Sequence, residues 1–179
     1  HSTLNLFKQL GVDIQFIDNK TLKIKSTGKL KKSQTPLDNG NSGTTMRLVS
    51  GILAGQNFDS VMIGDTSLSK RPMKRIIEPL TLMGADITSV DGHAPLTIKG
   101  RPLQGITYHS KLASAQVKSC LLLAGLNADG ETTFIEPYTS RDHTERLLEY
   151  LDADILINGT NVTVRTSQLT AKDIDVVGD

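Results

Sequence analysis

Three similar stretches, LFKQLGVDI at residues 6–14, PLTLMGADI at 79–87 and LLEYLDADI at 147–155, decide the fold of this 179-residue chain. In each, apolar residues at helical spacing lead into a tight turn, and a strand begins at the Val/Ala-Asp-Ile position. In the third copy, Asp152 takes the place of the turn glycine. A second, alternating strand follows each copy, as TLKIK at 21–25, PLTIKG at 95–100 and NVTVRT at 161–166. The pattern predicts three copies of one helix–strand–strand unit.

A second motif lies between these copies. SGTTMRLVSGILAG at residues 42–55 and SAQVKSCLLLAG at 114–125 both begin with serine, carry one basic residue and end in Leu-Ala-Gly. The basic residues are Arg47 and Lys118. Together the motifs predict a unit of helix, strand, helix, strand and strand that recurs about every 70 residues. The fold class is therefore α/β, with helices packed on sheets and about two and a half units in the chain.

The balance of charge limits the partners of the chain. Lys and Arg total 20 against 19 Asp and Glu, which gives a net charge of +1. This balance disfavours a nucleic acid or a membrane surface as partner, because both are bound by a broad basic field. No apolar run is long enough to span a membrane, and we expect a cytoplasmic protein.

The residues that most often bind metals or form disulfides give little signal. The lone Cys120 lies in an apolar run, where a small core residue is the simplest interpretation. No group of His, Cys and Asp has metal-ligand spacing. The sequence therefore predicts neither a metal nor a cofactor.

The stretch NGNSGTTMRLV at residues 39–49 places small polar residues directly before an apolar helical run. The exposed N–H groups and the dipole of such a helix start favour phosphate or carboxylate. Asn41 adds a neutral hydrogen-bonding group, and Gly43 leaves space for an anion to approach the backbone. An ordinary serine-capped helix after a glycine turn is the alternative interpretation.

Three further segments place polar residues at or before the starts of predicted helices. In SLSKRPMKRI at residues 67–76, Pro72 suits the first turn of a helix, which puts Lys70 and Arg71 in the loop before it. LASAQVK supplies Ser114 and Gln116 in the first turn of a helix, and YTSRDHTERL supplies Ser140, Arg141 and His143 before the next helix. If the repeats are related by rotation, Arg47, Arg71 and Arg141 gather at one end of the domain. That end would bind a polyanionic small molecule, whereas taken singly the cations suit a solvated surface and His143 suits a helix cap.

NGNSGTTMRL, GDTSLSKRPM, ASAQVKS and SRDHTERLL, in this order and at these intervals, resemble the bacterial 5-enolpyruvylshikimate-3-phosphate (EPSP) synthase family. This family comprises the enolpyruvyl transferases of the shikimate pathway, in which the herbicide glyphosate competes with phosphoenolpyruvate. The resemblance covers nearly the whole chain. It implies two inverse-barrel domains of three βαβαββ units with pseudo-threefold symmetry, and an active site between the domains. Residues 1–179 would be a single domain, most of the N-terminal one, without its first segment.

The resemblance also implies substrates and roles for individual residues. The family transfers the enolpyruvyl group of phosphoenolpyruvate to the 5-hydroxyl of shikimate 3-phosphate and releases phosphate. Asn41, Gly43, Thr44 and Arg71 would bind phosphoenolpyruvate, with Arg47 beside them. Ser114, Gln116, Ser140 and Arg141 would bind the shikimate phosphate, with Gln116 touching both substrates. Ala115 departs from family members that have a second serine there.

The same resemblance places the catalytic acid and base in the absent C-terminal domain. We therefore expect the isolated chain to be inactive, its partner to be that domain, and the enzyme to be a monomer. The closing VVGD at 176–179 resembles the boundary between the domains, with Val177 where proline is usual. The alternatives are the sister transferase that acts on UDP-N-acetylglucosamine, and a non-enzymatic anion- or RNA-binding α/β module. Cys120 in a predicted helix does not match the reactive-cysteine loop of the sister enzyme.

Overall fold

The computed structural model describes residues 1–176, and its helices and strands follow the predicted repeats. The helices are α1 (Ser2–Gln9), α2 (Gly43–Ala54), α3 (Lys74–Leu82), α4 (Ala115–Gly125) and α5 (His143–Tyr150). The first strands are β1 (Asp13–Phe16), β2 (Leu22–Lys25), β3 (Leu37–Asp38), β4 (Ser60–Ile63) and β5 (Asp86–Val90). The others are β6 (His93–Lys99), β7 (Thr107–His109), β8 (Glu131–Ile135), β9 (Ile155–Asn158) and β10 (Asn161–Arg165). A short 3-10 helix covers Leu68–Lys70.

Two βαβαββ units have the same sheet topology. In the first, which we call the α2 unit (residues 37–99), β3 pairs parallel with β4, and the strand order is β3-β4-β6-β5. In the second, the α4 unit (residues 107–165), β7 pairs parallel with β8, and the order is β7-β8-β10-β9. The remaining elements, α1, β1 and β2, match the helix and strand pair that end these units. The predicted repeat is confirmed.

The opening strand of each unit is absent from the periodicity-based prediction. β3 lies within residues 26–40, which resemble a loop in sequence, and β7 is a three-residue strand. Such short strands carry too few residues to show alternation. Parallel pairing requires a crossover connection, which α2 and α4 provide. Each of these two helices is therefore fixed between two paired strands.

The turn that follows the first helix of each repeat copy needs a left-handed backbone. Gly11 has a φ of +88° and Gly84 a φ of +94°, while Asp152 in the third copy has a φ of +59°. Aspartate tolerates this conformation better than most residues. Nζ of Lys172 donates a hydrogen bond of 2.6 Å to the Asp152 carboxylate. The third copy therefore keeps the same turn without glycine.

Helices α2 and α4 pack against each other at the centre of the core. A Cβ on Gly51 would lie 2.2 Å from the carbonyl oxygen of Cys120, so only glycine permits this approach. Cys120 is fully buried, as the sequence predicts. The main core runs from Leu6 in α1 to Phe134 in β8, and a second, smaller cluster packs Leu148 of α5 against Val162 and Val164 of β10. Close packing of α2 on α4 brings the N-termini of the two helices near each other.

Across residues 1–176, no helix combines the length and apolar character that a membrane crossing requires. The predicted domain boundary at VVGD reaches residues 177–179, which lie outside the described part of the chain.

Candidate functional site

The N-terminus of α2 is flanked by two arginines. Ser42 caps the helix, and its Oγ accepts a hydrogen bond of 3.2 Å from the Thr45 N–H. Gly43 is the first helical residue, and a Cβ there would lie 3.2 Å from Nη1 of both Arg47 and Arg71. The glycine therefore lets two guanidinium groups approach one helix start. Two cations beside the positive end of a helix dipole form a surface that attracts an anion.

A hydrogen-bond chain fixes the position of Arg71. Its Nη2 donates to Oδ1 of Asn41 over 2.6 Å, and Nδ2 of Asn41 donates to Oδ2 of Asp65 over 2.8 Å. Asp65 also accepts the Leu68 N–H over 2.7 Å. Hydrogen bonds from Leu68 and Asn41, with the nearby charge of Arg71, lower the pKa of Asp65. Asp65 therefore stays ionised and holds Asn41 against Arg71.

Arg71 lies in the loop before α3, as the sequence predicts, but the expected helix start at Pro72 is too early. α3 begins only at Lys74, and Lys70 ends the 3-10 helix instead. Arg71 has extended backbone geometry (φ −83°, ψ 135°), which the following Pro72 favours. The dipole of α3 therefore gives no reason for a cation at this position. The side chain of Arg71 serves the start of α2 instead.

Gln116 joins the two units. Nη1 of Arg47 donates to Oε1 of Gln116 over 2.7 Å, and Nε2 of Gln116 donates to Oγ1 of Thr44 over 2.8 Å. Nη2 of Arg47 also donates to the Pro72 carbonyl over 3.2 Å. Burial lowers the pKa of Arg47, and the charges of Arg71 and nearby Arg75 lower it further. An anion bound here would relieve this repulsion between cations.

The start of α4 borders a second polar surface. An open depression of about 390 Å³ is lined by the N-terminal residues of α4 and the loop before α5: Ala113, Ser114, Ala115, Gln116, Ser140 and Arg141. Ser114 is the N-cap of α4 rather than a residue of its first turn, and its Oγ accepts a long hydrogen bond of 3.5 Å from Val117. Arg141 is exposed on this surface, whereas Arg47 and Arg71 meet at Gly43.

The structure therefore brings the predicted site residues together in two groups. Asn41, Gly43, Thr44, Arg47 and Arg71 surround the start of α2. Ser114, Ser140 and Arg141 line the depression at the start of α4. Gln116 belongs to both groups, because it lines the depression and hydrogen bonds to Arg47 and Thr44.

A buried ionic cluster beneath the depression was not predicted from the sequence. Nζ of Lys118 lies 2.8 Å from Oε1 of Glu136 and 2.6 Å from Oε1 of Glu145. The three side chains are each at most 2% exposed. A lysine inside the otherwise apolar VKSCLLLAG run was the available signal, since a buried charge requires a partner. Lys118 and Arg47 therefore occupy similar positions in their sequence motifs but different environments, because Lys118 is buried and Arg47 is partly exposed.

The opposite charges of Lys118 and Glu136 keep both groups ionised. Burial alone would lower the pKa of Lys118, but hydrogen bonds from the ammonium to Glu136 and Glu145 outweigh it and raise that pKa. Burial alone would raise the pKa of Glu136, but hydrogen bonds from Lys118 and Ser140 outweigh it and lower that pKa. Within residues 1–176, no group of three or more His, Cys, Asp or Glu side chains is placed to hold a metal ion.

Comparison with known proteins identifies the fold and the family. A model of the family described as EPSP synthase (3-phosphoshikimate 1-carboxyvinyltransferase) matches residues 1–179. Two relatives named 3-phosphoshikimate 1-carboxyvinyltransferase, from Endomicrobium trichonymphae and Geotalea uraniireducens, are 55% and 53% identical to 99% of this chain. The chain spans 42% of the length of each of these relatives.

A comparison with solved structures supports the same family. A structure of EPSP synthase from Acinetobacter baumannii superposes with a TM-score of 0.90 at 48% identity, over 94% of this chain and 39% of that one. The predicted α/β fold of repeated units is thereby confirmed, and the similarity is consistent with the inverse-barrel domain. With a family match over its full length and this structural agreement, the chain belongs to the EPSP synthase family.

Proposed function

We propose that this chain supplies the substrate-binding half of an enzyme that transfers the enolpyruvyl group of phosphoenolpyruvate to the 5-hydroxyl of shikimate 3-phosphate. One observation carries the proposal: Gln116 connects an arginine-flanked helix start with a second polar depression. A transferase that joins two anionic substrates needs two adjacent anion sites. The names of the relatives, 3-phosphoshikimate 1-carboxyvinyltransferase, describe this reaction.

Phosphoenolpyruvate is assigned to the start of α2. Its phosphate and carboxylate match the guanidinium groups of Arg47 and Arg71, because planar N–H pairs bind such oxygens in a bidentate manner. Gly43 leaves no side chain between the start of α2 and the two cations. Asn41 orients Arg71, and Thr44 hydrogen bonds to Gln116.

Shikimate 3-phosphate is assigned to the depression at the start of α4. Ser114 and Ser140 line this depression, and Arg141 offers a positive charge at the rim. Because Ala115 has no hydroxyl, this site has one donor fewer than in family members with serine at that position. Gln116 would contact both substrates, since it lies between the two surfaces.

These residues bind and orient the substrates. Fixing the 5-hydroxyl against the enolpyruvyl carbon makes the addition step effectively unimolecular. The cations stabilise the charged addition intermediate before phosphate is eliminated. We assign the acid and base groups to a C-terminal domain. In this proposal the chain forms most of the N-terminal domain, and the enzyme is a monomer. A cytoplasmic location stays a prediction from the sequence.

A phosphate-release assay on the full-length protein that contains this chain tests the proposal. Turnover is expected only when phosphoenolpyruvate and shikimate 3-phosphate are both present, and the isolated chain is expected to be inactive. UDP-N-acetylglucosamine serves as the competing acceptor. Phosphate release from phosphoenolpyruvate with UDP-N-acetylglucosamine, but not with shikimate 3-phosphate, would overturn the assignment. Turnover by residues 1–179 alone would overturn the location of the acid and base.

A further inference from the structure

The ionic cluster of Lys118, Glu136 and Glu145 connects the elements that surround the shikimate-phosphate depression. Lys118 belongs to α4, Glu136 follows β8, and Glu145 lies in the first turn of α5. Both carboxylates contact the same ammonium group, at 2.8 and 2.6 Å. The cluster therefore joins α4, α5 and the loop between β8 and α5.

Fold stability alone does not account for this cluster. Desolvation of buried charges offsets much of their attraction, so well-packed apolar residues often stabilise a core equally well. The cluster also contains two carboxylates but only one ammonium group, whereas a simple ion pair needs only one carboxylate. A second role is indicated for at least one of the two glutamates.

The two glutamates differ in a further contact. Oε1 of Glu136 also accepts the backbone N–H of Ser140 over 2.9 Å. Ser140 lines the depression opposite the start of α4. Lys118, the partner of Glu136, lies one helical turn after Ser114, and its N–H donates to the Ser114 carbonyl over 3.0 Å. Glu136 therefore connects the loop wall of the depression with its helical wall.

We infer that Glu136 is a positioning residue for the shikimate-phosphate site, an assignment that rests on the proposed function. It holds the backbone of Ser140 at a fixed distance from the start of α4. Ser114 and Ser140 are then preorganised for one phosphate group. Glu145 balances Lys118 without a contact to the loop residue, so its role is confined to packing and charge.

Two substitutions separate positioning from stability in the full-length protein. Glu136→Met removes the acceptor of the Ser140 N–H and leaves the Lys118–Glu145 pair intact. Glu145→Met removes an equally buried carboxylate and leaves the Lys118–Glu136 pair intact. Because a one-to-one ion pair remains in each variant, both are expected to fold, which thermal unfolding checks.

Steady-state kinetics with both substrates supply the readout. Glu136→Met is expected to raise KM for shikimate 3-phosphate about tenfold, because a charge-assisted hydrogen bond that orders the site is lost. KM for phosphoenolpyruvate is expected to stay within about twofold, since that site lies on α2. Glu145→Met is expected to change neither KM by more than about twofold. Glu136→Gln, which keeps a neutral acceptor oxygen, is expected to recover most of the loss.

Equal KM changes in the two methionine variants, or a parallel rise for both substrates, would overturn the inference. If Glu136→Met does not fold, the pair Glu136→Gln and Glu145→Gln decides by the same comparison, with an expected rise of about threefold in the first only. A wild-type enzyme without turnover of shikimate 3-phosphate would refute the proposed function, and the inference with it. Normal wild-type turnover with no selective effect at Glu136 would refute the inference alone.

Discussion

The α2 unit and the α4 unit share one topology but use their cations differently. In the α2 unit, Arg47 and Arg71 lie at the surface beside Gly43. In the α4 unit, Lys118 is buried between two glutamates, and Ser114 and Ser140 line the polar depression above it. One unit therefore presents positive charge at its surface, where we propose that an anion binds. In the other, we propose that the buried cation helps to hold the backbone around the depression.

This difference shows what a repeat in sequence does and does not establish. Both helices begin at a capping serine and contain one basic residue. The shared pattern fixes where each helix starts, because a cap is a local interaction. The role of the basic residue depends on what packs against it, and that environment comes from other elements.

Removal of Arg71, one of the two surface cations of the α2 unit, should have the largest effect. Arg71→Ala in the full-length protein is expected to lower kcat/KM for phosphoenolpyruvate about 100-fold, since a charged donor at the reacting group is lost. Arg75→Ala removes an exposed charge near Arg47 and serves as the matched control. A drop of equal size in both variants would show that only general positive charge matters.

The contact between the two units is the next target. Gly51→Ala would force a Cβ to within 2.2 Å of the Cys120 carbonyl, so the backbones of α2 and α4 must separate. We expect a loss of about 2 kcal/mol in the free energy of unfolding, measured by chemical denaturation. Gly55→Ala is the control, because its Cβ would meet its nearest neighbour at 3.7 Å. Unchanged stability in Gly51→Ala would contradict the close packing of the helices.

The placement of helices and turns could be predicted from sequence because their signals are local. The apolar spacing before Gly11 and Gly84 gave helices that end at left-handed turns. Ser114 and Ser140 were also recognisable, since Ser114 was predicted in the first turn of one helix and Ser140 just before another. The start of α3 was predicted too early, at Pro72 rather than at Lys74, because the extended segment around Pro72 has no periodic signal.

The buried cluster could not be predicted in the same way. Lys118, Glu136 and Glu145 lie on separate elements, and only the folded sheet and helices bring them together. Burial of Lys118 follows from the apolar sequence around it, but the identity of its partners does not. Non-local polar contacts of this kind are fixed by packing rather than by spacing.

The buried pair also predicts a dependence of stability on acid. The folded state lowers the pKa of Glu136 below its ordinary value of 4.5. Its stabilising contribution is therefore complete above about pH 4.5 and is lost as pH falls through the lowered pKa. Denaturation at several pH values should show a smaller difference between wild type and Glu136→Gln in acid than at neutral pH. A difference that stays constant down to the most acidic condition would contradict this ionisation.

The smallest effect concerns Cys120. Burial raises the pKa of its thiol to about 12, despite a hydrogen bond from the Gly51 backbone that lowers it. Because the thiolate is the reactive form, we expect almost no alkylation of Cys120 in the folded protein at neutral pH. Peptide mapping after treatment with iodoacetamide checks this, with the denatured protein as control. Rapid labelling in the folded state would reopen the comparison with the reactive-cysteine transferase.

A calorimetric titration of shikimate 3-phosphate into the full-length protein tests the division between the two units most directly. The variants are Ser140→Ala in the α4 unit and Arg71→Ala in the α2 unit. We predict that Ser140→Ala raises Kd about tenfold, while Arg71→Ala leaves Kd within about twofold of wild type. Equal weakening in both variants, or weakening in Arg71→Ala alone, would contradict separate anion sites on α2 and α4.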